Sequence, residues 1–153
     1  YNLNYLILQF GTLYGDRSNS KNGIYNYLRQ AIKNKKIEYN GSKESVRNYI
    51  NVKDAAKVCV DLLEKKMLNK TYIITGNDER KITDTFQLIQ EIIGKKINVV
   101  YKKPKNKNHY EITPYSIDYD TPIKYSINKS IDFGFGIHRL LNQIRKNEKD
   151  NNF

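Results

Sequence analysis

With 153 residues, the chain has the length of one globular domain and enough residues to form a hydrophobic core. Its apolar fraction of 39% is low but outside the range of disordered chains. No apolar stretch reaches the roughly 18–20 residues that span a bilayer. The single cysteine excludes an internal disulfide and is typical of a reducing compartment. We therefore expect a soluble, cytoplasmic protein.

The formal net charge is +11, from 27 Lys and Arg residues against 16 Asp and Glu residues. A charge of this size is typical of nucleic-acid-binding proteins, so a stand-alone basic nucleic-acid-binding module is one alternative. The lysines are scattered, however, and lie mostly at the ends of predicted helices, where they complement the helix dipole. This distribution favours solvated surface faces. A positive field also concentrates small anionic ligands.

The first half of the chain alternates between predicted strands and helices. Leu3 to Phe10 is an almost continuous apolar run, which is typical of a strand buried on both faces of a parallel sheet. From Gly23 the pattern is helical, and residues 37–41 and 46–52 are predicted to be two short strands. Asp54 then opens a second helix, and we expect it to cap that helix or to favour its positive end. The apolar stripe of this second helix comprises Ala55, Val58, Cys59, Leu62 and Leu63.

The second half has fewer clear patterns than the first. Its apolar spacing predicts a strand at Thr71–Thr75, a helix at Thr83–Ile93 ended by Gly94, a strand at Ile97–Tyr101, a loop around Pro104 and an amphipathic helix at Asp132–Arg145. The charged tail after Lys146 is expected to be disordered. Two apolar strands so far apart in sequence favour a parallel sheet. A parallel sheet of only two strands is not stable, because it needs neighbouring strands and cover on both faces. We therefore expect further strands from a part of the polypeptide outside this chain.

Two segments carry the residues that point to a function. Phe10-Gly-Thr-Leu-Tyr-Gly-Asp-Arg17 follows the first predicted strand, and Val46-Arg-Asn-Tyr-Ile-Asn-Val-Lys-Asp54 leads from a turn into a helix. Ligands of open α/β sheets bind beyond the carboxyl ends of the strands, where glycines let the backbone approach a ligand. At this order and spacing, the two segments resemble the second half of the extended short-chain dehydrogenase/reductase family, the NAD-dependent nucleotide-sugar epimerases and dehydratases.

The resemblance places the first segment against the nicotinamide and the sugar. The implied cofactor-binding residues are Phe10, Gly11, Thr12 and Leu13. Thr12 and Arg17 are also implied substrate contacts. The chain departs from the family pattern R-x-G-N-x-Y-G-P at Gln9, Thr12 and Asp16, which stand for Arg, Asn and Pro. An ordinary strand-to-loop turn is the alternative for this segment.

The second segment begins with an arginine that the resemblance assigns to the diphosphate. Residues 47–54 match the family pattern R-D-x-[IV]-x-V-x-D, except that Asn48 replaces the first Asp. A guanidinium offers a planar fork that matches pairs of phosphate oxygens. Arg47 is therefore the implied diphosphate ligand, and a surface salt bridge is its alternative.

Two further residues are implied substrate contacts. Asn22 precedes the helix at Gly23, where family members place an Asn or Lys against the diphosphate and where a helix N-terminus favours an anion. A simple helix cap is the alternative for Asn22. Residues 37–41 match the family strand I-x-[IVY]-x-G, which implies that Tyr39 stacks on the nucleotide base. A place for Tyr39 in the core is equally open.

Several features of catalysis are not found in the sequence. It contains neither a Gly-rich pyrophosphate fingerprint nor a Tyr-x-x-x-Lys pair on a predicted helix, so no catalytic residue is assigned. His109 and His138 lie far apart and have no acidic or Cys partner at ligand spacing, so no metal site is predicted.

The resemblance therefore implies the C-terminal, substrate-binding portion of an NAD(P)-dependent nucleotide-sugar epimerase, dehydratase or reductase, inert on its own. The expected fold is α/β: the C-terminal part of a Rossmann-like parallel sheet with a small α/β substrate-binding cap. We assign residues 1–22 and 66–100 to the Rossmann-like domain, 23–65 and 101–146 to the cap, and 147–153 to a disordered tail. The expected partners are a nucleotide-diphosphate sugar, a missing N-terminal half that binds most of the NAD or NADP, and a second copy in a homodimer. A homologue that binds without catalysing is also left open.

Overall fold

The computed structural model describes residues 2–65, 67–77, 79–103 and 123–150. The elements in chain order are β1 (Leu6–Phe10), β2 (Thr12–Tyr14), α1 (Gly23–Asn34), β3 (Lys36–Asn40), β4 (Val46–Asn51), α2 (Val52–Glu64), β5 (Lys70–Ile74), β6 (Glu79–Lys81), α3 (Ile82–Ile93), β7 (Asn98–Lys102), β8 (Ile123–Lys124) and α4 (Phe133–Asp150). None of the helices in the described residues is long and apolar enough to cross a membrane. The predictions for Pro104 and His109 fall outside the described residues.

The strands form three small sheets in which parallel pairing dominates. β1 pairs in parallel with β5, with Leu6 opposite Lys70, and β8 pairs with the other side of β5. β2 pairs in parallel with β4, and β6 joins β4 in antiparallel orientation. β3 pairs in parallel with β7. The α/β fold class and the parallel pairing of the two apolar strands are therefore confirmed.

The first strand is less buried than its sequence predicts. It begins at Leu6, and Tyr5 and Ile7 are 52% and 49% exposed. Its alternate side chains Leu6, Leu8 and Phe10 pack against the core beneath α2. Within this chain, the described helices cover one face of the sheet, so the expected burial on both faces stays a prediction for the longer polypeptide.

Two hydrophobic clusters hold the elements together. One cluster joins the β1–β5 sheet to α2 through Val58, Leu62 and Tyr72. The other joins α1, α3, α4 and the β3–β7 pair. Helix α2 therefore packs with the first sheet, and α3 packs with α1 and α4. The predicted domain boundaries stay a prediction.

The helix ends show which polar residues have structural roles. Asn51 caps α2, since its side-chain oxygen accepts a hydrogen bond from the Lys53 amide at 3.0 Å. Of the two roles expected of Asp54, the cap was wrong, whereas its place in the first turn is the one that favours the positive end of the helix. Asp54 lies in the first turn, is buried, and accepts a hydrogen bond from the Ile131 amide at 2.8 Å. Gly94 ends α3 with a positive φ of 71°, as predicted.

The last helix is longer than predicted. Its apolar stripe of Ile137, Leu140, Leu141 and Ile144 is buried, as expected. The helix continues to Asp150, and Glu148 forms ion pairs with Arg29 and Lys33 of α1 at 3.6 and 3.3 Å. The expected disorder of residues 147–150 was therefore wrong. The spacing of apolar residues does not predict ion pairs, so it ended the helix too early.

Two glycines permit close approaches between elements. A Cβ on Gly76 would lie 1.7 Å from the carbonyl oxygen of Tyr49, so only glycine lets the chain after β5 cross β4 at this distance. A Cβ on Gly136 would lie 2.5 Å from the hydroxyl of Tyr14. These contacts fix β4 against the end of β5 and α4 against β2.

Candidate functional site

The pairing of β2 with β4 brings the two predicted segments together. Thr12 is the register partner of Tyr49, and Tyr14 is the partner of Asn51. Arg47 lies two residues before Tyr49 and therefore shares its face of β4, about 7 Å back along the strand. Thr12 and Arg47 thus lie on one face of one small sheet, although 35 positions separate their numbers in the sequence.

Asn22 fixes the N-terminus of α1 beside β2. Its side-chain nitrogen donates to the carbonyl oxygen of Leu13 at 2.7 Å, and its side-chain oxygen accepts from the Tyr25 amide at 3.1 Å. The helix-cap alternative is therefore what the structure shows. The positive end of α1 consequently lies next to Thr12 and Leu13, which is the arrangement that favours an anion. A direct contact of Asn22 with substrate stays a prediction.

Arg47 is half-buried between β4 and α1. One of its terminal nitrogens donates to the carbonyl oxygen of Val46 at 2.7 Å, which fixes part of the guanidinium. Burial raises the pKa of Tyr49 to about 12, and the charge of Arg47 opposes that rise. The same charge opposes the rise in the pKa of Tyr27, which burial dominates. The hydrogen bond to Val46 therefore gives the guanidinium a defined position.

Tyr39 occupies the core. It is 3% exposed, and its ring makes edge contacts with Tyr27, Phe86 and Tyr101 at centroid distances of 6.0, 5.6 and 6.2 Å. The ring presents no open face to a nucleotide base. The stacking role implied for Tyr39 is therefore corrected in favour of the core alternative.

A surface cavity of about 430 Å³ collects three of the predicted residues. Leu13, Arg17 and Asn22 line it together with Lys21. Arg17 adopts a left-handed φ of 65°, an uncommon backbone conformation for a residue other than glycine. This cavity places two cationic side chains at the positive end of α1.

Asp16 also lines this cavity and fixes its loop. Its carboxylate pairs with Lys53 of α2 at 3.0 Å and with Arg139 of α4 at 3.3 Å. Asp16 therefore connects two helices at the position where the family pattern has Pro.

The implied cofactor segment continues the β1–β5 pairing. The Gly11 amide donates to the carbonyl oxygen of Ile74 at 3.0 Å, and Leu13 is 39% exposed. The sheet register places this segment beside the one that contains Arg47.

A second cavity, of about 300 Å³, lies at the carboxyl ends of β2, β4 and β5 and was not predicted. Its lining includes Tyr14, Asn51, Asn77 and Arg80. Most of these polar groups have structural partners: Asn77 donates to the Ile127 carbonyl at 3.1 Å, and the Arg80 guanidinium lies 5.0 Å from the Phe133 ring centre. The sequence signal for this cavity was the polar residue at the end of each strand. The described residues contain no group of three or more His, Cys, Asp or Glu side chains that could hold a metal ion.

A mostly parallel α/β fold with a helix N-terminus beside the carboxyl end of a strand is a common setting for anionic ligands such as nucleotides. Comparison with known proteins gives the family. Residues 1–75 match the family described as "NAD dependent epimerase/dehydratase family". These residues belong to that family, as the two motifs indicated.

The similar proteins are sugar-nucleotide enzymes. The chain is 25% identical over 152 residues to "Putative UDP-glucose 4-epimerase" of Methanocaldococcus jannaschii, covering 97% of this chain and 48% of that protein. The crystal structure of UDP-glucose 4-epimerase with UDP-glucose from Thermotoga maritima superposes with a TM-score of 0.80 at 21% identity, covering 97% of this chain and 48% of that one. UDP-glucuronic acid 4-epimerase from Bacillus cereus, solved with UDP-glucuronic acid and NAD, gives a TM-score of 0.77 at 19% identity over 92% and 45%. The chain thus has the Rossmann-like fold of these enzymes and spans about half the length of the relatives that it matches.

Proposed function

We propose that this chain is the substrate-binding portion of an NAD(P)-dependent nucleotide-sugar epimerase, dehydratase or reductase. The observation that carries the proposal is the β2–β4 register, which places Thr12 and Arg47 on one sheet face beside the N-terminus of α1. The family match over residues 1–75 supports it, as do the names of the similar enzymes.

In this proposal Arg47 binds the diphosphate of the sugar nucleotide. A half-buried guanidinium with one nitrogen tied to the backbone needs little further ordering to meet a phosphate. The positive end of α1 and the cations Arg17 and Lys21 contribute to the same field. Thr12 contributes a hydroxyl toward the sugar. Binding energy from the diphosphate then orients the sugar for reaction.

The cofactor is proposed to contact this chain only along Phe10–Leu13. NAD or NADP, when bound, supplies the hydride transfer that oxidises and re-reduces the sugar. The described residues of this chain show no Tyr and Lys pair one helical turn apart that could act as the family's base. We therefore propose that the isolated chain binds sugar nucleotides without turning them over.

Calorimetric titration of the purified chain with UDP and with dTDP tests this function. We expect saturable heat at one site, weakened about 10- to 100-fold by Arg47→Ala, because a charge-assisted hydrogen bond contributes about 1.5–3 kcal/mol. Arg145→Ala is the matched control, since Arg145 is exposed near the far end of α4. Equal affinity for the wild type and Arg47→Ala would contradict the assignment.

The same purified chain tests the alternative function, a basic nucleic-acid-binding module, which the charge of +11 favours. Retention on single-stranded DNA with a steep salt dependence, together with no UDP heat, would favour a basic binding module. Turnover of UDP-glucose by the isolated chain with added NAD would contradict the proposed inertness.

A further inference from the structure

The loop between β2 and α1 begins with a tight turn of four residues, Gly15 to Ser18, which we name the 15–18 turn. The Ser18 amide donates a hydrogen bond to the carbonyl oxygen of Gly15 at 3.2 Å, and the Ser18 hydroxyl donates to the same oxygen at 2.7 Å. Arg17 has a positive φ of 65°, whereas Asp16 before it does not have a positive φ. A bond from the fourth residue to the first, with a positive φ at the third residue alone, is typical of a type II turn.

The 15–18 turn lacks the residues that a type II turn prefers. Such turns favour proline at the second position, which presets φ, and glycine at the third, which adopts a positive φ without strain. Asp16 occupies the second position, where the family pattern has Pro. At the third position, Arg17 adopts a backbone conformation that is unfavourable for a residue with a Cβ. The residues of the turn therefore do not keep Arg17 in place by their own preferences.

Two ion pairs attach the 15–18 turn to the helices beside it. One oxygen of the Asp16 carboxylate lies 3.0 Å from Nζ of Lys53 in α2 and 3.3 Å from Nη2 of Arg139 in α4. The Arg139 guanidinium also lies 6.0 Å from the ring centre of Phe135, one turn earlier in α4, which orders it. A single exposed ion pair contributes little, but a carboxylate shared by cations of two helices forms a network. This network supplies the order that the turn residues do not.

The position of the turn matters because Arg17 lines the cavity at the positive end of α1, together with Lys21 and Asn22. We propose that Asp16 is a positioning residue for anion binding, whose two ion pairs hold Arg17 where the diphosphate of the sugar nucleotide binds. This inference rests on the proposed function, because it concerns how the same site is held. A proline at position 16 orders such a turn through its ring, whereas Asp16 orders it through charge.

A positioning role predicts the opposite of what charge alone predicts. Asp16 lines the same cavity as the cations Arg17 and Lys21. If only charge mattered, removal of this carboxylate would strengthen anion binding, because a repulsion disappears and the charges of Lys53 and Arg139 are no longer compensated. If Asp16 positions Arg17, its removal weakens binding, because the released turn must be ordered again when the phosphate binds. The sign of the change in affinity therefore separates the two roles.

Calorimetric titration of the chain with UDP measures that sign. We expect Asp16→Asn to weaken UDP binding about threefold to tenfold, which is the size of effect that a small ion-pair network has. Asp16→Pro should restore most of the affinity, because proline presets the turn without a charge.

Glu38→Gln is the matched control. The side chain of Glu38 is 37% exposed against 35% for Asp16, and its carboxylate also pairs with two cations, Lys36 and Lys102, but on β3. Its loss removes the same charge and the same number of ion pairs at a place that does not line the cavity. Glu38→Gln should therefore bind UDP as the wild type does.

Hydrogen exchange at the Ser18 amide, followed by NMR, reports the turn without any ligand. We expect exchange at least about threefold faster in Asp16→Asn than in the wild type, because the turn opens more often. Unchanged exchange, unchanged or tighter UDP binding by Asp16→Asn, or a loss of affinity that Asp16→Pro does not restore would each overturn the proposal. If the wild type itself gives no UDP heat, the proposed function fails, and exchange at Ser18 alone decides whether Asp16 holds the turn.

Discussion

Substitution of Gly76 by alanine tests how the site is fixed. The added Cβ would lie 1.7 Å from the carbonyl oxygen of Tyr49, whereas the closest ordinary carbon–oxygen contacts are about 3.3 Å. Either the chain after β5 or the middle of β4 must therefore move by about 1.5 Å. Overpacking of side chains costs about 1–3 kcal/mol, and here the obstacle is backbone, so we expect a loss of at least about 3 kcal/mol. That is a large share of the roughly 5–15 kcal/mol that stabilises a typical domain.

Urea denaturation followed by circular dichroism measures the loss, and UDP titration measures its effect on Arg47. Gly94→Ala is the matched control: its φ is also positive, at 71°, but a Cβ added there would meet nothing within 4 Å. We expect Gly94→Ala to lose only about 1–2 kcal/mol from the strained φ. If Gly76→Ala is no less stable than Gly94→Ala, the close approach of β5 to β4 does not exist.

The remaining predictions concern ionisation and polar contacts. Burial raises the pKa of Tyr14 and of Tyr49 to about 12 from 10, so the folded state holds protons that the unfolded state releases. Stability should therefore fall as pH rises from 10 to 12, by about 1.4 kcal/mol per pH unit for each tyrosine, in urea melts across that range. Asp54→Ala should cost about 1–3 kcal/mol, because it leaves the Ile131 amide without its acceptor, and hydrogen exchange at that amide should accelerate. Asn22→Ala should lower the thermal midpoint through loss of the α1 cap, about 0.5–2 kcal/mol, whereas Asn22→Ser should recover most of it.

Much of the fold could be predicted because its signals are local. The helical spacing of apolar residues and the stop at Gly94 set α1, α2 and α3 to within a few residues. The short strand β6 was missed because Glu79–Lys81 has no apolar residue, and only its pairing with β4 makes it a strand. The exposure of Tyr5 and Ile7 could not be predicted because a sequence shows what a residue prefers and not which neighbours cover it.

The site was predicted only in part, because local motifs can be found in a sequence and contacts between distant residues cannot. The two motifs identified the family and the segments that the β2–β4 register brings together. Tyr39 is buried against three aromatic rings from other elements. No rule of sequence spacing predicts that these rings surround it. The hydrogen bond between Asp54 and the Ile131 amide likewise joins residues 77 positions apart, so no local pattern predicts it.

The strand pairings also determine how the chain reaches this structure. No two strands adjacent in sequence form a hairpin among the described pairs: residue 6 meets residue 70, and residue 36 meets residue 98. Chains rich in such distant contacts pay the loop-closure entropy before any sheet hydrogen bond forms, and they fold slowly, on the millisecond-to-second scale. Folding of this protein should therefore begin in its helices. The sheets form late, and loss of residues 1–14 would remove β1 from one sheet and β2 from another.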